Sequence, residues 1–504
     1  MSKIYIFLFL LIIAGCAADV ESNKNENVNY TTLLASENAL TEGSNTLNYD
    51  TNKTLHTLIY YAQSPVNENF NLTNSYSISD TRESSQQTIP YKNNTVLSKA
   101  NIMQQNSKDI LNNINNSIAE YAYNNKIETI KKNSLSLSKT APSVVTIGTK
   151  WENINILDVY SKTFTVINAT CVAESEYAYF FLQDGLDNLT VEQIEEIKAA
   201  FDKDYLLIHQ YYGEEEDTDG NGKVSFVITN LQAQLFGFFY LADKYSEQDV
   251  INKFSSSERT NESDVLYINY NFFINGKWDI YKTDILATFI HEFQHMVMFD
   301  VRNRLGLNPI VNSWITEGLS MLAEYYGGYT APHHIYLAYY FQSNQGISLI
   351  SNSTIDYGLE YLFARYLQIR FGDGFIKKIY TSQYNGIKAV EEATGMNFNE
   401  LFLDFTKMIL LTGRGVTNDT RYNIEEFNYP EGSEGFNRNG FNLASVIDEA
   451  YSYAAMNNSF ITSSGYNNKT LSMYGFAITK WNGVFNELTL AGNKEGIAGI
   501  YYAW

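Results

Sequence analysis

Asp284-Ile285-Leu286-Ala287-Thr288-Phe289-Ile290-His291-Glu292-Phe293-Gln294-His295-Met296-Val297-Met298-Phe299 is the stretch on which the reading of this chain turns. Apolar residues at 286, 289, 290, 293, 296 and 297 recur at helical spacing, and no proline interrupts them. The pattern predicts an amphipathic helix at about 282–300. His291 and His295 then stand one turn apart on one face, where two imidazoles can share one divalent cation. Glu292 follows the first histidine and sits beside such an ion rather than on it. From there its carboxylate can take a proton from a water that the ion has acidified. The chain has only 6 histidines in 504 residues, so the spacing is not a by-product of composition. The plainer alternative is a partly buried helix face with two ordinary polar histidines.

A catalytic zinc needs a third protein ligand and one open position. Trp314-Ile315-Thr316-Glu317-Gly318-Leu319 follows the helix and supplies the best candidate, Glu317. With Ser320, Ala323 and Glu324 added, the two segments resemble those of the gluzincin metallopeptidases, and among these the hyicolysin family of secreted bacterial metallopeptidases. The Trp-x-x-Glu-Gly element is also similar to the third-ligand segment of the aminopeptidase N family. The resemblance spans roughly residues 165–415, the size of one domain, and is densest at 284–326. It implies an α+β zincin fold and peptide-bond hydrolysis. Residue by residue it assigns His291, His295 and Glu317 to zinc and Glu292 to the general base. Glu324, two helical turns beyond Glu317, would support the metal ligands without touching the metal; otherwise it is a solvated helix glutamate. One departure stands out. Residues 296–316 separate His295 from Glu317, a few more than in the aminopeptidase N pattern, and the excess is expected in a polar loop over 302–309.

Zinc-dependent hydrolysis also needs a donor for the oxyanion. His333, His334, Tyr357 and Tyr361 are candidates, and Tyr357 comes first because it opens a helix-like apolar run that can return along the cleft.

The second informative segment is Asp217-Thr218-Asp219-Gly220-Asn221-Gly222-Lys223. Oxygen-bearing side chains at Asp217, Asp219 and Asn221 alternate with turn residues, as in the first half of an EF-hand loop, and suit Ca2+. Position 12 from Asp217 is Ile228, so the full EF-hand form is absent. A solvated acidic turn is the competing reading.

Lys3, the apolar run Ile4–Ile13 and Ala14-Gly15-Cys16 read as a secretory signal, residues 1–15, resembling that of bacterial lipoproteins. Cys16 would then carry a lipid and anchor an extracytoplasmic protein to a membrane; the alternative is a plain secretory signal with a chance cysteine. Cys171 is expected as a small buried hydrophobe. Residues 16–135 read as a low-complexity tether or propeptide. An irregular helical pattern over 101–131 could dock on the enzyme or form part of an inhibitory propeptide.

The catalytic domain is expected at 136–415. Strands are predicted near 143–147, 163–167, 178–182, 224–229 and 264–270, and helices at 190–212, 315–326, 334–342, 357–371 and 397–411. Residues 416–504 read as a small β-rich module. A net charge of −21 argues against nucleic acid as partner. Peptides or proteins are the expected substrates, cut by an endopeptidase. Two rivals are an inactive surface adhesin on a peptidase fold and an aminopeptidase. The latter lacks its Gly-x-Met-Glu-Asn-type segment here.

Overall fold

The computed structural model describes, with side chains, residues 107–130, 141–429 apart from short stretches (232–234, 256, 310–313, 330–335, 338–339, 342–347 and 351–356), 442–448 and 474; elsewhere it describes only the strands and helix named below. Cys16, His333, His334 and most of the expected helix 334–342 lie outside the described residues.

The chain is α+β. Near its start run β1 (Ser36–Leu40), β2 (Asn45–Thr46), β3 (Leu55–Tyr61), β4 (Phe70–Ile78) and the long helix α1 (Thr95–Asn125). Then come β5 (Lys150–Asp158), β6 (Thr163–Glu174), β7 (Ala178–Gln183), α2 (Val191–Tyr211), β8 (Val224–Thr229), β9 (Gly237–Phe239) and β10 (Val265–Asn269). The metal-motif helix α3 (Lys277–Arg304) is followed by α4 (Ser313–Gly327), α5 (Tyr357–Phe371), α6 (Gly374–Thr381), α7 (Gly386–Thr394) and α8 (Phe398–Leu411). Last are β11 (Asn467–Leu471), β12 (Phe476–Trp481), β13 (Phe485–Gly492) and β14 (Ile497–Ala503).

Strands β5 to β10 form one mixed sheet in the order β5-β6-β7-β8-β10-β9. β7, β8 and β10 are parallel, and β9 lies antiparallel on the edge. The central strands β8 and β10 are buried at every position, which is why they read as continuous apolar runs. Helix α2 opens on Thr190, whose side chain accepts from Gln193 N–H while the Gln193 side chain accepts from Thr190 N–H, a reciprocal cap. An aromatic wedge fixes α3 between α2 and the sheet. Phe201 meets Phe293 at 5.3 Å and Phe226 at 4.7 Å, and Phe226 meets Phe289 at 4.7 Å. These contacts bury one face of α3; from another, Glu292 reaches the edge strand β9.

Several expectations change. No strand forms at 143–147; the first strand of the sheet begins at Lys150. Val144 and Ile147 are exposed, so their alternation lacked a core to face. The loop over 302–309 starts later, because α3 continues through Arg304. Arg302 is buried, and its guanidinium donates to the carbonyls of Ile379, Tyr380 and Ser382. The strand pairing also joins the two ends of the chain: β3 lies between β12 and β14, and β4 between β11 and β13. The C-terminal β strands are therefore completed by strands from the segment expected to be a tether.

Candidate metal centre

Helix α3 presents His291 and His295 with ring centroids 4.9 Å apart and planes crossed at 77°. Helix α4 brings Glu317 to both. Its Oε2 lies 3.2 Å from His291 Nε2, and its Oε1 lies 3.6 Å from His295 Nε2. One ligand atom from each of the three falls within 4.8 Å of the others. The glycine after Glu317 has a packing reason. A Cβ at Gly318 would sit 2.7 Å from the Glu360 carbonyl oxygen on α5, so only glycine lets α4 and α5 approach this closely.

Glu324 projects from α4 toward the same spot. Glu324 Oε1 lies 2.7 Å from His291 Nδ1, which turns Nε2 inward toward Glu317. His295 has a different neighbour: the Ser320 hydroxyl lies 3.3 Å from its Nδ1. Ser320 also donates to Gln294, which in turn donates to the Tyr380 hydroxyl. Burial opposes a charged His291 and so does the Lys108 ammonium, but hydrogen bonds with Glu317 and Glu324 prevail and raise it to about 9. Burial likewise opposes ionisation of Glu317; the His295 charge and hydrogen bonds to both imidazoles outweigh it and hold this carboxyl well below its usual range.

Two demands meet at His291 Nε2. Glu317 Oε2 can only accept a hydrogen bond, and Lys108 Nζ, 3.1 Å from the same nitrogen, can only donate one. No single protonation state serves both. A divalent cation between Nε2 and the carboxylate would remove the conflict on the Glu317 side, since neither then needs a proton. Two imidazoles and a carboxylate are also the borderline donor set that zinc prefers. The residues present fit the ion.

Glu292 is buried, and its Oε2 accepts from Phe239 N–H at 3.1 Å. Edge strand β9 thus orients the candidate base. Gly237, at the start of β9, allows this approach: a Cβ there would lie 2.6 Å from the Tyr267 carbonyl oxygen and 2.8 Å from Thr288 on α3. Tyr357 opens α5. Its buried hydroxyl finds no hydrogen-bond partner among the described residues. Burial raises it well above the usual phenol range, and the negative charges of Glu317, Glu360 and Glu292 add to this. Tyr361 is also buried.

The acidic loop is assembled differently from expectation. Asp217 and Asp219 converge with Asp264, just before β10. Asn221 stands beside them. Its amide donates to Asp219 and Ser225, and its carbonyl accepts from Lys223 N–H. Burial, then the Asp219 charge, pushes Asp264 well above its usual range. Buried Lys244 pairs with Asp300 at 2.8 Å and donates to Thr218 beside this cluster. Cys171 is buried on β6, where burial pushes its thiol up to about 11.

Besides Asp264, sequence reasoning missed Lys108, Asn112 and Asn115 of α1. Asn112 Nδ2 donates to Glu317 Oε1 at 2.9 Å, and Asn115 bonds the backbone of β9 and the residues after it. They lie in an Asn-rich stretch without a motif; only their spacing marks them. No family model matches the chain, and no curated protein shows significant similarity to it.

Proposed function

We propose that this protein is a zincin-type metallopeptidase of the gluzincin class, with His291, His295 and Glu317 as zinc ligands and Glu292 as general base. The observation carrying this reading is the convergence of two helices on one spot, so that three donor atoms face one another beside a buried carboxylate. A zinc ion held there would acidify a water to near neutrality and polarise a substrate carbonyl. Glu292, held by Phe239 N–H, accepts the proton of the attacking water and passes it to the leaving amine. Glu324 fixes the tautomer and aim of His291. The Tyr357 hydroxyl, buried without a partner among the described residues, is free to donate to the oxyanion. Edge strand β9 suits an extended peptide, and an endopeptidase is preferred because no aminopeptidase N amine-binding motif precedes α3.

The same reading makes Cys16 a lipidated anchor in an extracytoplasmic setting and gives Asp217, Asp219 and Asn221, joined by Asp264, a structural Ca2+ role. The test is a digest of a peptide library with blocked and unblocked termini, alongside metal analysis. About one zinc per chain and chelator-sensitive cleavage are expected. Glu292→Gln should keep the zinc and lower kcat about 10²–10⁴-fold. A Glu292→Gln protein of undiminished activity rules the mechanism out.

A further inference from the structure

Helix α1 lies against the candidate site. Lys108, Asn112 and Asn115 follow one another at i, i+4 and i+7, so they share a face, and each engages a different part of the centre. Lys108 Nζ lies 3.1 Å from His291 Nε2 and 3.6 Å from Glu292 Oε1. Asn112 donates to Glu317 Oε1 at 2.9 Å. Asn115 donates to the Phe239 carbonyl at 2.9 Å and accepts from Leu241 N–H at 3.0 Å. One carboxamide thus takes the Phe239 carbonyl on β9 and the Leu241 N–H just beyond it, two backbone groups with which an extended peptide along this edge could pair. Leu111, Ile118 and Ala122 anchor the helix by burying its apolar side. Between α1 and the cleft only about 80 Å³ remains, whereas pockets that hold ligands are typically ~300–1,000 Å³.

The geometry points to α1 as a built-in latch that keeps the zincin site latent, with Lys108 in competition with the metal and Asn115 in competition with substrate. The inference rests on the peptidase reading for the identity of the substrate, but its metal half stands alone. With Nδ1 engaged by Glu324, Nε2 is the one ring atom of His291 that can face a metal, and Lys108 Nζ stands 3.1 Å from it. An ammonium and a metal cannot both occupy that position. An ammonium beside Glu292 also neutralises the carboxylate that must accept the proton. A Lys–carboxylate contact at 13% and 3% side-chain exposure is shielded from solvent screening.

The test uses the full-length chain and three variants, Lys108→Met, Lys108→Ala and Asn115→Ala, each checked for a cooperative melt. Zinc affinity is read by competition with a chromogenic chelator, and turnover with an internally quenched peptide. Lys108→Met keeps the aliphatic stem and should bind zinc at least tenfold more tightly than the parent. Zinc-loaded, it should cleave at least tenfold faster. Asn115→Ala should raise turnover with zinc affinity unchanged. Equal zinc affinity and equal turnover in parent and all three variants overturn the latch. Tighter zinc in both Lys108 variants, with no cleavage by any protein, keeps the latch and overturns the peptidase reading instead.

Discussion

Glu324 and Tyr357 separate support from chemistry. Glu324 holds His291 through Nδ1, so Glu324→Ala should lower zinc affinity about 10–100-fold, read by chelator competition. Tyr357→Phe makes the opposite demand. Its hydroxyl is buried and lacks a partner among the described residues, so its removal should leave the melting temperature equal or higher. If it holds the oxyanion, kcat should still fall about 10²-fold with zinc content unchanged. A variant with normal kcat returns Tyr357 to a packing role. At this level the sequence was most legible where chemistry dictates spacing. One turn of helix and one acidic motif set the order of His291, Glu292, His295 and Glu317; the structure brings His291, His295 and Glu317 together, with Glu292 lining the same cleft. Asp264 was not legible, because it reaches Asp217 and Asp219 from just ahead of a separate strand, with no local pattern to announce it.

Helices α4 and α5 show why the Trp-x-x-Glu-Gly element carries its glycine. Gly318→Ala would press a methyl against the Glu360 carbonyl and should cost about 1–3 kcal/mol, measured by denaturant unfolding, because the backbones must part. The same change should weaken zinc binding, since α4 carries Glu317. Arg302 performs the analogous task at the other end of α3. Its guanidinium serves three carbonyls at the end of α6 and beyond, so Arg302→Ala should destabilise by on the order of 2–4 kcal/mol. Periodicity predicted α2, α3, α5 and α8 to within a few residues. It missed β9, three residues long, because so short a strand has no alternation to detect. It also extended the loop after α3 too far, since Arg302 looks like a surface residue until its carbonyl partners are known.

Across the whole molecule, buried carboxyls set the response to pH. Burial raises Asp243 to about 7, with the Tyr267 hydroxyl and Asn261 N–H as its partners, and raises Asp204 to about 7 likewise. An acid whose folded pKa exceeds its unfolded value of 3.8 favours the folded state when protonated. Its contribution is therefore full below pH 3.8 and is lost as pH rises through about 7. Thermal melts should show Asp243→Asn losing less stability than the parent between pH 4 and 8. A parallel pair of curves would contradict the buried-acid account. The architecture at this level was only half readable. The mixed sheet and following helices were visible as alternating patterns, but the terminal sheets pair strands that are hundreds of residues apart, and no local signal encodes such a partner.

Those terminal sheets bear on how the latch could ever be lifted. β3 hydrogen-bonds to both β12 and β14, and β4 to β11 and β13. A single backbone cut after α1 would leave the severed piece clasped by the chain's far end, still presenting Lys108 at high effective concentration. A nicked sample should run as one species on native size exclusion and as two in denaturant. Full release would then need the strands themselves to be peeled away or digested.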